Sequence, residues 1–472
     1  MSCLRRTLAV PVFLMALFYA ALAQHEHDVL IVGAGMAGIA AARNLTDAGL
    51  RVLVLEARER PCGRLDAIKM PGGTVDAGAM WVHEAVPGNA LLDIILSLGL
   101  PTSPRQDYSS LQTFNSSTGD RISRASYIKV YSSYFTQLRP KIATMRATPG
   151  TPDESVADLY SSWLAANPQL TPADVQLSNL IIHTNYQALL NGNLTALSTL
   201  RLGDAKSIPA VDVMLRDGFP SVCRALLPGL DVRYSTAVAV VEQGGDNMTV
   251  ITADGEALSA PYVILTAPLG LLKDEVIDIQ PPLPEAKLQA IRDMGYGLLD
   301  KAVFVFDKPF WETPGVPPVD FIMRSMPDLS GGWAIFLNYN KLFGIPVLAA
   351  IHVADTAWQL EALPDEQVRE EGMAALRAIF QRNGTVVPDP LLFHFTRWAA
   401  DPWSRGKRAY SYFAVGNAKS ITGVLAEPVG RLLFAGEATS NKPATVLGAY
   451  LSGLREAQRV QSLMAGAAAA TS

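Results

Sequence analysis

Val29-Leu30-Ile31-Val32 is an unbroken apolar run of strand length, preceded by polar His27 and Asp28. Gly33-Ala34-Gly35-Met36-Ala37-Gly38 follows, and then an alanine-rich stretch from Ile39 to Ala48 that predicts a helix stopped by Gly49. A second apolar run, Val52-Leu53-Val54-Leu55, predicts another buried strand and closes on Glu56. Farther along, Ser126 to Met145, Asp153 to Leu164 and Asp365 to Arg382 carry helix-like patterns between Pro and Ser breaks. Leu298 to Phe306 is a strand-like run containing one lysine, and period-two alternation puts Lys301 on the same face as Val303 and Val305.

The strand, glycine loop, helix and strand between Val29 and Glu56 make a dinucleotide-binding unit. Gly33 permits a tight turn, Gly35 lets the backbone approach a pyrophosphate, and Gly38 allows close helix–strand packing. The helix N-terminus offers free N–H groups and the positive end of its dipole to the phosphates. Glu56 stands 21 residues beyond Gly35, where its carboxylate can accept from ribose hydroxyls and would repel a 2′-phosphate. The fold class expected is therefore α/β, with a Rossmann-type domain.

Arg58-Glu59-Arg60-Pro61-Cys62-Gly63-Arg64 and Thr74-Val75-Asp76-Ala77-Gly78-Ala79-Met80-Trp81-Val82-His83 come next. They resemble the FAD-wrapping segments of the flavin-containing amine oxidase family, with Cys62 where relatives usually have glycine and Glu84 where they often have glycine. The resemblance recurs in order at Leu230–Val241, Tyr262–Gly270, Met294–Phe306, Thr396–Gly406, Tyr410–Tyr412, Leu433–Ser440 and Pro443–Ala457. The last stretches look most like the polyamine oxidase and lysine-specific histone demethylase branch. The resemblance implies a Rossmann-type FAD-binding domain (24–88, 209–300 and 390–462) interleaved with an α+β substrate-binding domain (89–208 and 301–389). It implies FAD contacts from Gly33, Gly35, Met36, Ala37, Gly38, Glu56, Ala57, Arg58, Arg64, Gly78, Ala79, Met80, Trp81, Val238, Trp398, Gly436, Glu437, Thr445 and Val446. No cysteine lies between Gly436 and Gly453, where monoamine oxidases attach their flavin, so the FAD is expected to be non-covalent.

The same resemblance implies the chemistry: a hydride equivalent passes from the carbon beside nitrogen to flavin N5, water hydrolyses the imine, and O2 reoxidises the flavin to give H2O2. Lys301 is the implied active-site lysine; a lysine at a strand edge, snorkelling into water, is the structural alternative. Tyr410 is the cage aromatic, with Tyr412 as its alternative in register, and Thr445 occupies the second cage position. His83 either faces the amine or serves as a hydrogen-bonding neighbour of the flavin. Glu84 could receive a distal ammonium. A polyamine is the leading substrate. A monoamine or an L-amino acid is the second reading, and the latter would need an arginine such as Arg216, Arg324, Arg397 or Arg408 in the cavity. A flavoprotein that binds FAD without turnover is the third.

Composition narrows this picture further. The 472 residues are 49% hydrophobic with net charge −5, against disorder and against a broad nucleic-acid footprint. Arg5 and Arg6, the apolar stretch Leu8–Leu22 and Ala21-Leu22-Ala23 read as a signal peptide cleaved near Ala23, hence a secreted protein; an uncleaved anchor is the alternative. Cleavage there leaves 37 basic against 44 acidic residues and only Cys62 and Cys223, which are able to pair. No later segment is apolar over spanning length, so no stable membrane anchor is expected. Sequons begin at Asn44, Asn115, Asn193, Asn247 and Asn383, with Asn44 expected inside a packed helix. No metal cluster is legible, and residues 463–472 are expected to be a disordered tail.

Overall fold

The structure, a computed structural model, describes residues 26–70, 72–200, 211–313, 315–330, 332–381, 384–404 and 418–471. Its centre is a five-stranded sheet in the spatial order Leu432–Phe434, Tyr262–Leu265, Val29–Val32, Val52–Leu55, Asp231–Arg233, every neighbouring pair parallel. Parallel strands need cover on both faces, which is why all of these runs except the edge strand Asp231–Arg233 are continuously apolar rather than alternating. Val29 and Ile31 pack towards the helices Met36–Asp47 and Val446–Thr471. Leu30 and Val32 pack towards a second sheet, formed by Ala257–Ala260, Asn247–Thr252, Val238–Gly244 and Asp278–Gln280.

The other half is built on a seven-stranded sheet in the order Leu392–Phe395, Leu299–Val305, Val347–Val353, Ile335–Asn338, Phe321–Arg324, Leu111–Phe114, Arg121–Ile122. Alternation divides the lysine strand between two cores. Val303 and Val305 join the helices of residues 124–190, whereas Ala302 and Phe304 join Asp365–Phe380. The period-two reading of Lys301 therefore holds, and the strand is central rather than an edge, paired on both sides.

Several expectations need correction. Leu392–Phe395 pairs antiparallel with Leu299–Val305, so this strand belongs to the substrate-side sheet although residues 390–462 were assigned to the FAD domain. For the same reason the boundary at residue 300 falls inside a strand. The stretch Leu230–Val241 is two strands in different sheets, broken at Ser235, whose φ of +54° no strand accepts. The first helix begins at Met36, not Ile39. The tail expected to be disordered continues the last helix to Thr471, in keeping with the high helix propensity of its alanines.

Cys62 and Cys223 are joined, with Cα atoms 5.8 Å apart, tying the turn before Arg64 to the helix Pro220–Ala225. Both are buried in the core beneath the five-stranded sheet. The link closes a long loop, so Cys223→Ser should lower the unfolding free energy by about 2–4 kcal/mol, read from urea unfolding of the oxidised chain. An unchanged midpoint would show that the pair does not form in solution. Asn44 lies within Met36–Asp47, and its side-chain oxygen accepts from Gln461 at 2.9 Å. Among the described residues no helix is long and apolar enough to cross a membrane.

Candidate active site

A cavity of about 930 Å³ runs from Glu56, at the C-terminal ends of the parallel strands, to Lys301 and Trp398 on the second half of the molecule. This is where open parallel sheets generally receive ligands. Of the implied FAD contacts and the candidates Lys301, Tyr410, Thr445 and His83, all but Gly38 and Tyr410 line it. Gly38 acts from behind: a Cβ there would sit 1.9 Å from the Gly33 carbonyl oxygen, so only glycine lets helix and loop approach this closely. Tyr410, its alternative Tyr412 and Arg408 lie outside the described residues.

At the first end the chain turns at Gly33, whose φ of +104° disfavours any side chain. Gly35 caps the helix Met36–Asp47 with no side-chain bond and no acidic residue in the first turn, leaving its leading N–H groups available. Glu56 is buried; its Oε2 accepts from Ala34 N at 2.7 Å and its Oε1 from Arg58 N at 2.9 Å. A carboxylate has about four acceptor positions, so each oxygen can still receive a ribose hydroxyl. Ala57, Thr236 and Val238 line the wall beside it.

Arg58 does more than face the cavity. Its guanidinium forks onto Asp401, with both N–O distances 2.7 Å, and reaches Ser404 at 3.2 Å. Burial alone would raise the Asp401 carboxyl, but the hydrogen bonds and charge of Arg58 outweigh it and hold the group below its ordinary value. The fork thus ties the segment after Trp398 to the cofactor loop. Arg64 reaches Glu437 at 3.1 Å, and Glu437 also accepts from Ala444 N at 2.8 Å. Gly436, Val446, Ala79 and Met80 complete this part of the wall.

Lys301 closes the other end. Its side chain is 1% exposed, and Nζ donates to the carbonyls of Asp76, at 2.9 Å, and Gly78. Burial pulls the ammonium down to about 8, against the charges of Asp76 and Asp300, which act to raise it. Burial likewise pushes the Asp76 carboxyl up to about 7, opposed by Lys301 and by the Phe219 N–H it accepts at 2.8 Å. Trp398 flanks this end, donating Nε1–H to Ala77 O at 3.3 Å.

His83 lines the cavity with its ring beside Trp81, centroids 5.9 Å apart, and its Nδ1 is 2.9 Å from Asp212 Oδ2. Asp212 also accepts Tyr108 OH at 2.5 Å and Glu84 N at 3.2 Å. Burial acts to raise Asp212, and these hydrogen bonds with His83 nearby bring it below its ordinary value. The Glu84 carboxylate is paired with Lys442 at 2.6 Å, so its charge is already answered by a cation. Thr445 lines the cavity, but its hydroxyl works as a local cap, donating to Lys442 O at 2.8 Å and accepting Gly448 N–H at 2.9 Å. Asp212 and the wall Ala188–Asn191 carried no motif; nothing in their local sequence marks them.

Residues 36–461 match the family described as flavin-containing amine oxidoreductase. The chain belongs to that family. It is 32% identical over 449 residues to an Arabidopsis thaliana protein named lysine-specific histone demethylase 1 homolog 1, covering 92% of this chain and 52% of that one. It is 31% identical over 451 residues to the Homo sapiens lysine-specific histone demethylase 2, covering 92% and 53%. The chain thus spans about half the length of these relatives. Among solved structures, a putrescine oxidase bound to putrescine superposes with a TM-score of 0.72 at 23% identity, covering 92% of this chain and 99% of that one, a likeness of fold. The family's cofactor is FAD, and the cavity fits it. An open helix N-terminus lies at one end with a carboxylate that has lone pairs to spare, nothing lies within 4 Å of where a Gly35 Cβ would be, and a buried amine stands at the other end.

Proposed function

We propose that this chain is an exported amine oxidase that oxidises a polyamine with non-covalent FAD and O2. The carrying observation is the absence, among the described residues, of an arginine that could receive a substrate carboxylate. The two arginines lining the cavity, Arg58 and Arg64, are engaged by Asp401 and Glu437. Arg216, Arg324 and Arg397 lie outside the lining, Arg216 over the Phe343 ring and Arg397 on Asp365. Among the described residues an amino acid finds no such partner, whereas a plain amine needs none. The likeness to demethylases and to a putrescine oxidase supports the same branch. Both Cys62 and Cys223 are paired, which supports non-covalent attachment. The leader up to Ala23 supports export.

FAD, when bound, supplies a two-electron acceptor for the hydride equivalent. The protein's part is to orient the C–H bond and to handle protons. Trp398 and the Ala188–Asn191 wall define a mostly apolar slot that favours a neutral amine over an ammonium. With a pKa near 8, Lys301 Nζ passes between ammonium and amine close to neutrality, so it can take a proton from substrate or water and return it. Its two carbonyl partners hold Nζ in place throughout. Asp212 fixes the His83 ring through Nδ1, which leaves Nε2 for whatever enters.

Anaerobic addition of spermine, spermidine, N1-acetylspermine, a monoamine and an L-amino acid to the purified yellow protein tests the reading. Bleaching of the visible flavin band by a polyamine is the expected result. Bleaching by the monoamine or amino acid alone would replace the substrate, and a protein that none of them bleaches would remove the oxidase assignment.

A further inference from the structure

Asp300 and Glu361 meet beneath the turn that carries Trp398. Asp300 immediately precedes Lys301 in the strand Leu299–Val305, so its side chain falls on the opposite face of the sheet, where it is fully buried. Its Oδ1 accepts the Thr396 hydroxyl at 2.7 Å and Trp398 N–H at 3.2 Å. Glu361 ends the helix Ala354–Glu361 and takes the next two amides, Ala399 N–H on Oε1 at 2.7 Å and Ala400 N–H on Oε2 at 3.0 Å. Three consecutive amides of one turn therefore point at two carboxyl groups, which this shared turn sets side by side.

The odd atom is Asp300 Oδ2, buried and without a donor. Two ionised carboxylates side by side, one of them fully buried, are mutually unfavourable, and among the described residues no cationic nitrogen bonds either carboxyl group. His352 lies directly opposite Asp300 in the strand register, and burial keeps its imidazole neutral by lowering it to about 3. The Arg397 guanidinium is held by Asp365 and by the backbone carbonyls of Leu363 and Glu361, not by the Glu361 carboxyl. Lys301 is turned to the other face, onto Asp76 and Gly78. A single proton resolves the conflict, since it turns the orphan oxygen into a donor with Glu361 as its acceptor.

We propose that Asp300 is protonated on Oδ2 and donates to Glu361, and that this acid–carboxylate pair is the clamp that sets the Trp398 turn against the cofactor cavity. Burial, the Glu361 charge and the shared hydrogen bond all push the Asp300 carboxyl well above its ordinary value, in agreement with that geometry. Asp300 is thus a positioning residue, acting through Trp398. The assignment rests on the proposed oxidase reading only for what Trp398 flanks.

Infrared difference spectroscopy of the holoenzyme, without any amine present, tests the proton directly. Spectra are recorded above the value of about 7 that burial gives Asp76, so that group does not contribute. Wild type should show a protonated-carboxyl C=O band, shifted in D2O, that Asp300→Asn removes. Glu361→Gln puts an amide donor opposite Asp300, so the band should vanish there as well. Asp300→Asn can still donate to Glu361 and accept from Thr396 and Trp398, and should keep most of the turnover. Asp300→Ala, which can do neither, should lose on the order of 100-fold and perturb the flavin absorption. Absence of a band removable by Asp300→Asn, or an asparagine variant as impaired as the alanine one, would overturn the proposal. The band is independent of substrate, so a wrong choice of amine leaves this result intact.

Discussion

Lys301→Met should cut turnover at least ~100-fold while leaving the protein yellow. Methionine fills most of the lysine's volume but leaves the carbonyls of Asp76 and Gly78 without their donor. FAD should stay bound because its main polar anchors, Glu56 and the helix beginning at Met36, lie at the opposite end of the cavity. The pH profile carries the sharper signature. Burial lowers Lys301 to about 8, so the side chain is an ammonium below that pH and a free amine above it. Only the free amine can accept a proton, and log(kcat/KM) should therefore climb with pH through about 8 and level above it. Steady-state kinetics of the variant should lack that limb and show only the titration of the substrate. Unchanged turnover, or a limb that survives the substitution, would remove Lys301 from the chemistry.

Glu56→Ala should weaken FAD retention on the order of 100-fold or more. The carboxylate serves three parties: the N–H groups of Ala34 and Arg58, and the ribose it is placed to receive. Truncation leaves two N–H groups in a buried place without acceptors, and loses a charge-assisted bond to the cofactor. Each hydrogen bond to a charged group contributes roughly 1.5–3 kcal/mol, and 1.4 kcal/mol is tenfold in affinity. The loop around Ala34 should also loosen, since Glu56 is what holds it against the end of the second strand. Ultrafiltration with fluorescence of the released flavin gives the dissociation constant. A variant that stays fully loaded at nanomolar protein would mean that the ribose contacts lie elsewhere.

How far these residues could be read from the chain follows from the range of the contacts that position them. Gly33, Gly35, Gly38 and Glu56 form one local unit, strand–loop–helix–strand, and every role in it depends on neighbours fewer than 30 positions away. Lys301 was legible because a lone lysine in an apolar alternating run carries its own signal. Asp76, Asp212 and the pair Asp300–Glu361 were not. Asp212 becomes a hub only when Val82 and Val213 are bridged and Tyr108 is folded over it, and no local pattern encodes that meeting. Asp300 carries no local signal beside the lysine, and its partner emerges only when the helix Ala354–Glu361 docks under the Trp398 turn. Thr445 shows the converse case, a residue aligned with a cage position whose hydroxyl is committed to capping the helix that follows. The missed domain boundary has the same origin, because Leu392–Phe395 reveals its sheet only through its register with Leu299–Val305.

The order of strands in the five-stranded sheet bears on how the polypeptide is made. Val29–Val32 lies at the middle of that sheet and leaves the ribosome early, yet one flanking partner, Tyr262–Leu265, lies past the whole first part of the other domain. Leu432–Phe434 closes the sheet beyond it and arrives later still, and the helix that covers Met36–Asp47 follows after that. The nascent chain must therefore hold a half-built, sticky sheet while it waits, a situation in which slow maturation and a need for chaperone protection are expected. A ribosome-bound intermediate ending before Leu432 should be digested readily by protease, whereas release of the full chain should bring resistance to both halves at once.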